Sequence, residues 1–400
     1  MLALVDCNNF FASCERAKNR KLEGKPLVVL SGSNGIVVAR SNEAKAVGIQ
    51  MGAPAFACEV LFKKYNVHVI HSNFALYSEM SYRVMEELKK FSPICEVYSV
   101  DEAFLHFDSI TEKEAQRIRR GVFEVTRIPV SIGIASTKTL CKAANFFAKQ
   151  RKELQGVCVI SEEYLKELPV DEVWGIGKKL VERLRKKSIY TAFDLTQKSD
   201  EFLKKELSVI GLRLTMELRG FSCLSVQEMR DPKKSISCAR SFKKPLDSLE
   251  QMAVVLSRYT ANIATELREE KQLATMISVW ITTNPFGKGE QYSESASAIF
   301  SEPTAFTPTL IQRAKSLLQT IYKEGFIYKK VGVMLSEFVP ENAVQQDFFT
   351  QSTTRRGKGS LAKQKELMKI MDDLNQKFGP RTISLASELP LMSRCRAQDA

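Results

Sequence analysis

Residues 98–107, YSVDEAFLHF, set two adjacent carboxylates, Asp101 and Glu102, inside an apolar segment typical of the interior of a sheet. Burying an ionised carboxylate without a partner costs free energy, so the pair requires a compensating role. The apolar segment spans 94–107 and is long enough for two short strands, which predicts a hairpin. Because neighbouring side chains alternate between the faces of a strand, we expect a bend at or just before Asp101 that re-aims one carboxylate.

A third carboxylate, Asp6, ends the predicted strand LALVD at residues 2–6. If this strand lies beside the segment 94–107, then Asp6, Asp101 and Glu102 converge at one edge of a sheet. Mg²⁺ prefers oxygen ligands and shares the phosphate oxygens of a substrate, and two such ions promote phosphoryl transfer. The alternative is that each carboxylate caps a turn or pairs with a lysine, which is the usual outcome for a lone Asp-Glu pair.

Three further segments favour a phosphate-bearing substrate. DCNNFF follows the first strand and opens a helix, so that backbone N–H groups near residues 9–11 can face phosphates. VVARSNEAKAVGI repeats this arrangement, with Arg40 and Lys45 on either side of a helix start. STKTLCKAANFFAKQRK adds three lysines, Lys138, Lys142 and Lys149.

The composition indicates a soluble globular protein of several domains. The chain has 400 residues, of which 44% are hydrophobic and 26% are charged. The formal charge of +13 is unevenly spread, since residues 1–105 hold 12 basic and 11 acidic residues and residues 106–400 hold 47 and 35. A near-neutral first region followed by a basic remainder favours binding of a polyanion such as nucleic acid. An ordinary surface excess of lysine is the alternative.

The cysteines and the hydropathy predict a location. Nine scattered cysteines without CxxC spacing predict reduced core residues rather than disulfides or a zinc site. The sequence has no run of about 20 apolar residues that would cross a membrane, and its first residues lack the basic n-region of a signal peptide. We therefore expect a cytoplasmic protein without a membrane partner.

Apolar periodicity predicts an α+β fold of several domains, in which the first 165 residues are of the α/β or α+β class. In the first 165 residues, strands are expected at 2–6, 26–31, 35–40, 67–71, 94–107 and 129–135, and helices at 9–18, 41–47, 73–90, 111–126 and 137–152. Residues 166–222 predict short helices around a tight glycine turn, and residues 223–235 predict a linker. Residues 236–340 predict a βαββαβ unit of two helices on a four-stranded sheet. The tail from residue 341 predicts one helix at about 360–378.

Five ordered segments carry a resemblance to a known family: LALVDCNNFFASCE, VVARSNEAKAVGIQMG, YSVDEAF, SIGIASTKTLCKAANFFAK and VDEVWGIGKKL. With them the chain resembles the Y-family translesion DNA polymerases from residue 1 to about residue 378, and it is most similar to the UmuC-like catalytic subunits of bacterial SOS polymerases. The parts that the resemblance implies are a palm and fingers at 1–165 (fingers at about 20–75), a thumb with a helix-hairpin-helix at 166–222, a linker at 223–235, a little finger at 236–340 and a C-terminal tail at 341–400.

The resemblance also implies the residues of the active site. Asp6, Asp101 and Glu102 would hold two Mg²⁺ ions, with the carbonyl of Cys7 as a further ligand. Phe11 would be the steric gate that excludes a ribose 2′-hydroxyl, and an ordinary core phenylalanine is the alternative. The residues implied in binding the incoming dNTP are Asn9, Phe10, Phe11, Asn42, Lys45 and Lys149. Many members of the family have tyrosine at the position of Asn42.

Contacts with primer-template DNA are implied at two places, the glycine turn GIG with the lysines after it and the little finger. In both places the chain would bind backbone phosphate without reading bases. The residues implied are Gly175, Gly177, Lys178 and Lys179 in the turn and Arg240, Lys243 and Lys244 in the little finger.

The tail segment VQQDFFTQ at 344–351 resembles a motif by which bacterial polymerases dock on the sliding clamp. The residues implied are Gln345, Asp347, Phe348 and Phe349. Packing of this segment on the chain's own surface is the alternative. By resemblance, an accessory dimer of the UmuD type and a RecA filament are also partners. The family's usual C-terminal segment is not recognisable in residues 381–400, however.

The resemblance implies an error-prone translesion DNA polymerase of the SOS response and mutagenesis, in which the primer 3′-hydroxyl attacks the α-phosphate of a dNTP. Two alternatives stay open. One is a DNA- and clamp-binding scaffold that has lost catalysis, which would have defective carboxylates. The other is a two-metal phosphodiesterase or nuclease, which would not need an aromatic side chain at Phe11.

Overall fold

The computed structural model describes residues 1–32, 35–226, 232–287, 289–342 and 357–389, with only the backbone at 243 and 357–361. The chain divides into two compact units, residues 1–230 and 231–400, and each has a hydrophobic core of its own. The finer division into palm, fingers, thumb, linker and little finger stays a prediction.

The first unit is built around a five-stranded sheet. Its strands are β1 (Leu2–Cys7), β5 (Cys95–Val97), β6 (Glu102–His106), β7 (Val130–Ala135) and β8 (Val157–Val159). They lie in the order β5-β6-β1-β7-β8, and β1 is antiparallel to both β6 and β7. Every residue of β1 and β7 is buried, as expected from their apolar sequences. The end of the central strand β1 therefore lies beside the start of β6.

A second sheet in this unit has three strands in the order β3-β2-β4. The strands are β2 (Leu27–Leu30), β3 (Val37–Arg40) and β4 (His68–His71). β2 is antiparallel to β3 and parallel to β4. This sheet contains the basic segment around Arg40.

Ten α-helices are described in the first unit. They are α1 (Phe10–Lys18), α2 (Asn42–Ala46), α3 (Ala55–Lys64), α4 (Phe74–Lys89), α5 (Glu112–Thr126), α6 (Lys138–Gln150), α7 (Glu162–Glu167), α8 (Lys178–Arg185), α9 (Ala192–Thr196) and α10 (Asp200–Leu218). α6 packs so closely on β7 that a Cβ atom on Gly133 would lie 2.2 Å from the carbonyl oxygen of Cys141. Because any side chain at 133 would push the helix away, this glycine fixes the height of α6 above the sheet.

Some elements differ from the predictions. The apolar periodicity did not predict α3, because Phe56 and Val60 on the surface of this helix are 78% and 77% exposed. It did not predict β8 either, because this strand has only three residues. α10 is interrupted at Ser208, whose φ of 66° and ψ of −178° are not helical. The turn of residues 98–101 between β5 and β6 confirms the predicted hairpin and its bend.

The second unit confirms the predicted βαββαβ order. Its elements are β9 (Ser235–Leu246), α11 (Leu249–Glu269), β10 (Gln272–Thr283), β11 (Ser293–Thr304), α12 (Thr307–Ile321) and β12 (Tyr328–Pro340), followed by α13 (Gly357–Phe378). The four strands form an antiparallel sheet in the order β11-β10-β12-β9. The tail helix α13 is held against α11, since Arg268 binds both carboxylate oxygens of Asp372 at 2.6 and 2.8 Å.

Two further predictions concern membrane-spanning helices and the cysteines. Within the described ranges, no helix is both long and apolar enough to cross a bilayer. The eight described cysteines are free and six of them are buried, which agrees with reduced core residues.

Candidate active site at the edge of the five-stranded sheet

Asp6 and Glu102 lie directly opposite each other where β1 ends and β6 begins. Opposite residues of an antiparallel pair point to the same face, with Cβ atoms about 4.5–5.5 Å apart. Asp6 is 9% exposed, and Glu102 is half-buried. The pair therefore presents two carboxylates on one face at the edge of the sheet. Together with Asp101 we call it the carboxylate edge.

Asp101 lies in the turn that joins β5 to β6, and its backbone is bonded to β1. Its carbonyl oxygen accepts a hydrogen bond from the backbone N–H of Cys7 at 2.9 Å. Its carboxylate accepts one from the hydroxyl of Ser99 at 2.6 Å. Burial raises the pKa of the Cys7 thiol, and the charges of Asp6 and Asp101 raise this pKa further. Asp101 thus lies beside the end of β1, but its side chain is bonded to the turn.

Two lysines of α6 lie against the facing carboxylates. Lys149 Nζ is 2.6 Å from Asp6 Oδ2, and Lys142 Nζ is 3.0 and 2.9 Å from the two carboxylate oxygens of Glu102. Residues seven positions apart share one face of a helix, so both lysines project toward the sheet edge. Their exposure differs, because the Lys149 side chain is 39% exposed and the Lys142 side chain only 15%.

Burial dominates the electrostatics of Asp6. It raises the pKa of Asp6 from the usual 3.8 to about 7, although the ion pair with Lys149 acts in the opposite direction. The charge of Glu102 raises the same pKa further, since carboxylates on one face repel each other. The ionised form of Asp6 therefore gains from additional positive charge at this edge.

The donor atoms of the carboxylate edge fit a hard divalent cation. Mg²⁺ takes carboxylate and carbonyl oxygens, waters and substrate phosphates as ligands, and the edge supplies carboxylates and the backbone of Cys7. Among the described residues, no three side chains of Asp, Glu, His or Cys form a ready-made metal site. In this structure the ammonium groups of Lys142 and Lys149 neutralise the facing carboxylates.

A basic cluster of Arg40, Lys45 and Lys149 adjoins Asp6. Burial lowers the pKa of Lys45, and the charges of Arg40 and Lys149 lower it further, while Asp6 acts in the opposite direction. Arg40 donates to the carbonyl of Ile49, but its Nε is a buried nitrogen for which the described residues supply no hydrogen-bond partner. An anionic group would reduce the repulsion among these cations and could accept a hydrogen bond from Arg40 Nε.

The start of α1 meets the start of α2 beside this cluster. Asn9 precedes α1 in a left-handed conformation with φ of 50°, and its side-chain amide donates to Asn42 Oδ1 at 3.0 Å. Arg16 of α1 also forms an ion pair with Glu43 of α2 at 2.6 Å. The structure therefore brings the predicted nucleotide-binding residues Asn9 and Asn42 into direct contact.

The two neighbouring phenylalanines at the start of α1 have different surroundings. The half-buried ring of Phe11 stacks on Tyr77 of α4, with centroids 4.3 Å apart and 13° between the planes, and meets Phe74 edge to face. Tyr77 is buried, and its hydroxyl donates to Glu15 Oε1 at 2.8 Å. Phe10 is only 4% exposed and belongs to the core, so a nucleotide contact of this residue would involve its backbone rather than its ring.

Comparison with known proteins gives the family. Residues 5–145 match the impB/mucB/samB family, residues 233–348 match the C-terminal domain of that family, and residues 161–187 match the IMS family HHH motif. ImpB of Salmonella typhimurium is 38% identical to this chain, with 94% of this chain and 90% of ImpB covered. The chain belongs to the impB/mucB/samB family.

A second relative agrees with this family, and a solved structure shows the fold. UmuC of Salmonella typhimurium is 36% identical, with 97% of this chain and 93% of UmuC covered. A Y-family DNA polymerase chimera matches with a TM-score of 0.70 at 22% identity, over 85% of this chain and 99% of the chimera. This impB/mucB/samB family member therefore has the Y-family polymerase fold.

The glycine turn of this family member precedes α8, within the segment that matches the HHH motif. Gly175 has φ of +86°, and a Cβ atom there would lie 2.7 Å from Leu214 Cδ1. Gly177 is the N-cap of α8, and the side chains of Lys178 and Lys179 are exposed. The turn therefore presents backbone N–H groups and two cations at one surface.

The remaining predicted residues lie in the second unit or beyond the described ranges. Arg240 and Lys244 are exposed on the edge strand β9, and the side chain of Lys243 is not among those described. The predicted clamp motif lies outside the described residues, and this includes its residues Gln345, Asp347, Phe348 and Phe349.

Two lysines of α6 bind carboxylates where the sequence predicted phosphate contacts. Lys138 is not a phosphate-facing lysine, since its ammonium group is buried and binds both carboxylate oxygens of Glu96 at 2.8 and 2.6 Å. Lys142 belongs to the same predicted set of phosphate-facing lysines but binds Glu102. The intervals of four and seven residues between Lys138, Lys142 and Lys149 place them on one helix face. This spacing was the sequence signal that the three lysines point toward the same side of α6.

Proposed function

We propose that the carboxylate edge is the active site of an error-prone translesion DNA polymerase that adds dNTPs to a primer on damaged template DNA. The family and the fold make the chain a DNA polymerase. The observation that carries the site is the placement of Asp6 opposite Glu102, with the basic cluster of Arg40, Lys45 and Lys149 beside them. Phosphoryl transfer needs both features, negative ligands for cations and positive groups for a triphosphate.

Asp6, Asp101, Glu102 and the carbonyl of Cys7 would hold two Mg²⁺ ions. When bound, these ions activate the attacking primer oxygen and stabilise the negative charge of the leaving group. The proposal is supported by the raised pKa of Asp6, because a carboxylate that is costly to ionise gains most from a nearby cation.

The chain's own cations would hold the triphosphate. Lys149 is sufficiently exposed to exchange its contact with Asp6 for one with a phosphate oxygen. Lys45 adds a second positive charge. Asn9 and Asn42 lie together beside the N-terminus of α1, where free N–H groups favour phosphate.

Phe11 would select the sugar. Its ring is held in place by the stacked and buried Tyr77, so it cannot move aside at low cost to make room for a ribose 2′-hydroxyl. This rigidity supports the role of Phe11 as a steric gate.

Primer-template DNA would bind through backbone phosphates at the glycine turn, with Gly175, Gly177, Lys178 and Lys179, and at β9, with Arg240, Lys243 and Lys244. We further propose two Mg²⁺ ions per catalytic cycle and the palm, fingers, thumb and little-finger division at the boundaries given above. Binding to a sliding clamp, an accessory dimer of the UmuD type and a RecA filament is proposed from the resemblance alone.

Primer extension tests this proposal. The parent chain, with its accessory dimer and RecA filament present, should extend primers on plain and lesion-bearing templates in Mg²⁺ and dNTPs. Asp101→Ala should abolish synthesis, whereas Asp108→Asn, which alters an exposed acid just after β6, should leave it intact. Extension by Asp101→Ala at the parental rate would refute the site, and a parent that binds DNA but never extends would favour the scaffold alternative.

A further inference from the structure

Lys142 differs from the other lysine at the carboxylate edge in its surroundings. Its ammonium group lies 4.8 Å from the ring centre of Tyr98 and 5.4 Å from that of Trp174. The two rings meet edge to face, with centroids 5.9 Å apart and 78° between the planes. Lys142 is therefore held by two aromatic faces in addition to the two oxygens of Glu102.

Lys149 has none of these ring contacts among the described residues, and its side chain is more than twice as exposed as that of Lys142. An exposed lysine can leave its carboxylate when a phosphate or a metal ion arrives. A lysine fixed by cation–π contacts in a largely desolvated place stays. When substrate binds, the ion pair of Lys149 with Asp6 can therefore break, whereas that of Lys142 with Glu102 stays formed.

The same aromatic pair reaches the glycine turn. Trp174 is the residue directly before Gly175. Tyr98 is the first residue of the turn between β5 and β6, and its backbone N–H donates to the carbonyl oxygen of Glu102 at 3.0 Å. One contact set therefore joins the predicted DNA-binding turn to a predicted catalytic carboxylate.

We propose that Lys142 is a positioning residue, which the rings of Tyr98 and Trp174 hold in place so that it keeps the Glu102 carboxylate oriented throughout the reaction. Trp174 thereby couples the glycine turn to the carboxylate edge. This inference rests on the proposed assignment of Glu102 to the active site, and it goes beyond that assignment by giving two α6 lysines separate roles.

Trp174 itself supplies a readout that requires neither metal nor catalysis. The chain has two tryptophans, so Trp280→Phe in the second unit leaves Trp174 as the only indole. In this background and in EDTA, Lys142→Met should shift the emission of Trp174 because the cation beside its ring is gone. Glu102→Gln, which keeps the shape of the side chain, should also shift the emission because the ammonium group loses its anchor. The matched control is Lys152→Met, which alters an exposed lysine just after α6 and should leave the emission of Trp174 unchanged.

Kinetics separate positioning from a general loss of structure. Lys142→Met should lower the maximal rate of primer extension by roughly ten- to a hundredfold and also lower the Mg²⁺ concentration for half-maximal rate, since a competing positive charge has been removed. Trp174→Leu should lower the maximal rate without that lower Mg²⁺ requirement, because the lysine is still present. Lys142→Arg, which retains charge and ring contacts, should restore most of the rate.

The inference is wrong if the emission of Trp174 in Lys142→Met equals that in Lys152→Met, or if both kinetic quantities stay at the parental values. Should Lys142→Met fail to fold, an unchanged emission in Glu102→Gln overturns the inference in the same way. Failure of the proposed function is a separate result, since it would appear as synthesis by Asp101→Ala whatever the emission of Trp174.

Discussion

Asp6 faces Glu102 across the antiparallel pair of β1 and β6, and burial raises the pKa of Asp6 to about 7. Two carboxylates on one face would repel each other without cations, and in this structure each of them is paired with a lysine of α6. The ion pairs therefore stabilise a cluster that would otherwise be costly. Under the proposed function, one of these lysines would exchange its carboxylate for a phosphate when metal ions bind at this edge.

The stability of the metal-free protein should depend on the protonation of Asp6. Because the folded pKa of Asp6 lies above its unfolded value, this group favours the folded state at low pH, and that contribution is lost as pH rises from about 4 to about 7. In EDTA, the parent should lose stability over this range relative to Asp6→Asn, which cannot ionise. Urea unfolding of both proteins at several pH values checks this. Curves that stay parallel would show that Asp6 ionises without cost.

Phe11→Ala should raise ribonucleotide incorporation while leaving DNA binding unchanged. The ring that would meet a 2′-hydroxyl is removed, but no charged or DNA-contacting group is altered. The measurement is the ratio of incorporation efficiencies for dNTP and rNTP opposite the same template base. An unchanged ratio would remove Phe11 from the role of steric gate.

The stacking partner of Phe11 should affect the same ratio in a graded way. Tyr77→Phe keeps the ring that stacks at 4.3 Å and loses only the hydrogen bond to Glu15, so sugar selection should change little. Tyr77→Leu removes the flat support, and selection should fall toward that of Phe11→Ala. Equal selection in both Tyr77 variants, with Phe11→Ala clearly altered, would mean that stacking does not fix the gate.

Gly175→Ala should lower both stability and DNA affinity. Its φ of +86° disfavours any side chain, and the new Cβ would approach Leu214 at 2.7 Å, so we expect a loss of about 1–3 kcal/mol in the free energy of unfolding. Gly177→Ala is the matched control for stability, because no atom lies within 4 Å of its Cβ position and its φ of −87° is open to alanine. Thermal unfolding of both variants and binding of Gly175→Ala to primer-template DNA are the measurements. Equal losses of stability in the two variants would contradict this account of the turn.

Much of the fold could be predicted because its strands are apolar segments separated by turn residues. The βαββαβ unit and the bend at Asp101 are of this kind. α3 could not be found by the same rule, since Phe56 and Val60 are exposed and no buried stripe marks the helix. The backbone interruption at Ser208 also leaves no periodic signal.

The meeting of Asp6 and Glu102 could be predicted because both carboxylates lie at the ends of strands whose pairing follows from their hydrophobicity. The lysines could not be assigned in the same way. Lys138, Lys142 and Lys149 share a helix face, yet one binds Glu96, one binds Glu102 and one binds Asp6. α6 packs closely on the sheet at Gly133, and spacing along the chain encodes neither this tertiary contact nor the carboxylate that each lysine reaches.

The most direct test of the carboxylate edge is the single-turnover rate of dNTP incorporation by Asp6→Asn at saturating Mg²⁺ and primer-template DNA. Loss of one ligand to the catalytic ions should cost several kcal/mol of transition-state stabilisation, which corresponds to a fall of at least about a hundredfold, while DNA binding stays at the parental level. Incorporation by Asp6→Asn within a few-fold of the parental rate would contradict the assignment of this edge as the site of catalysis.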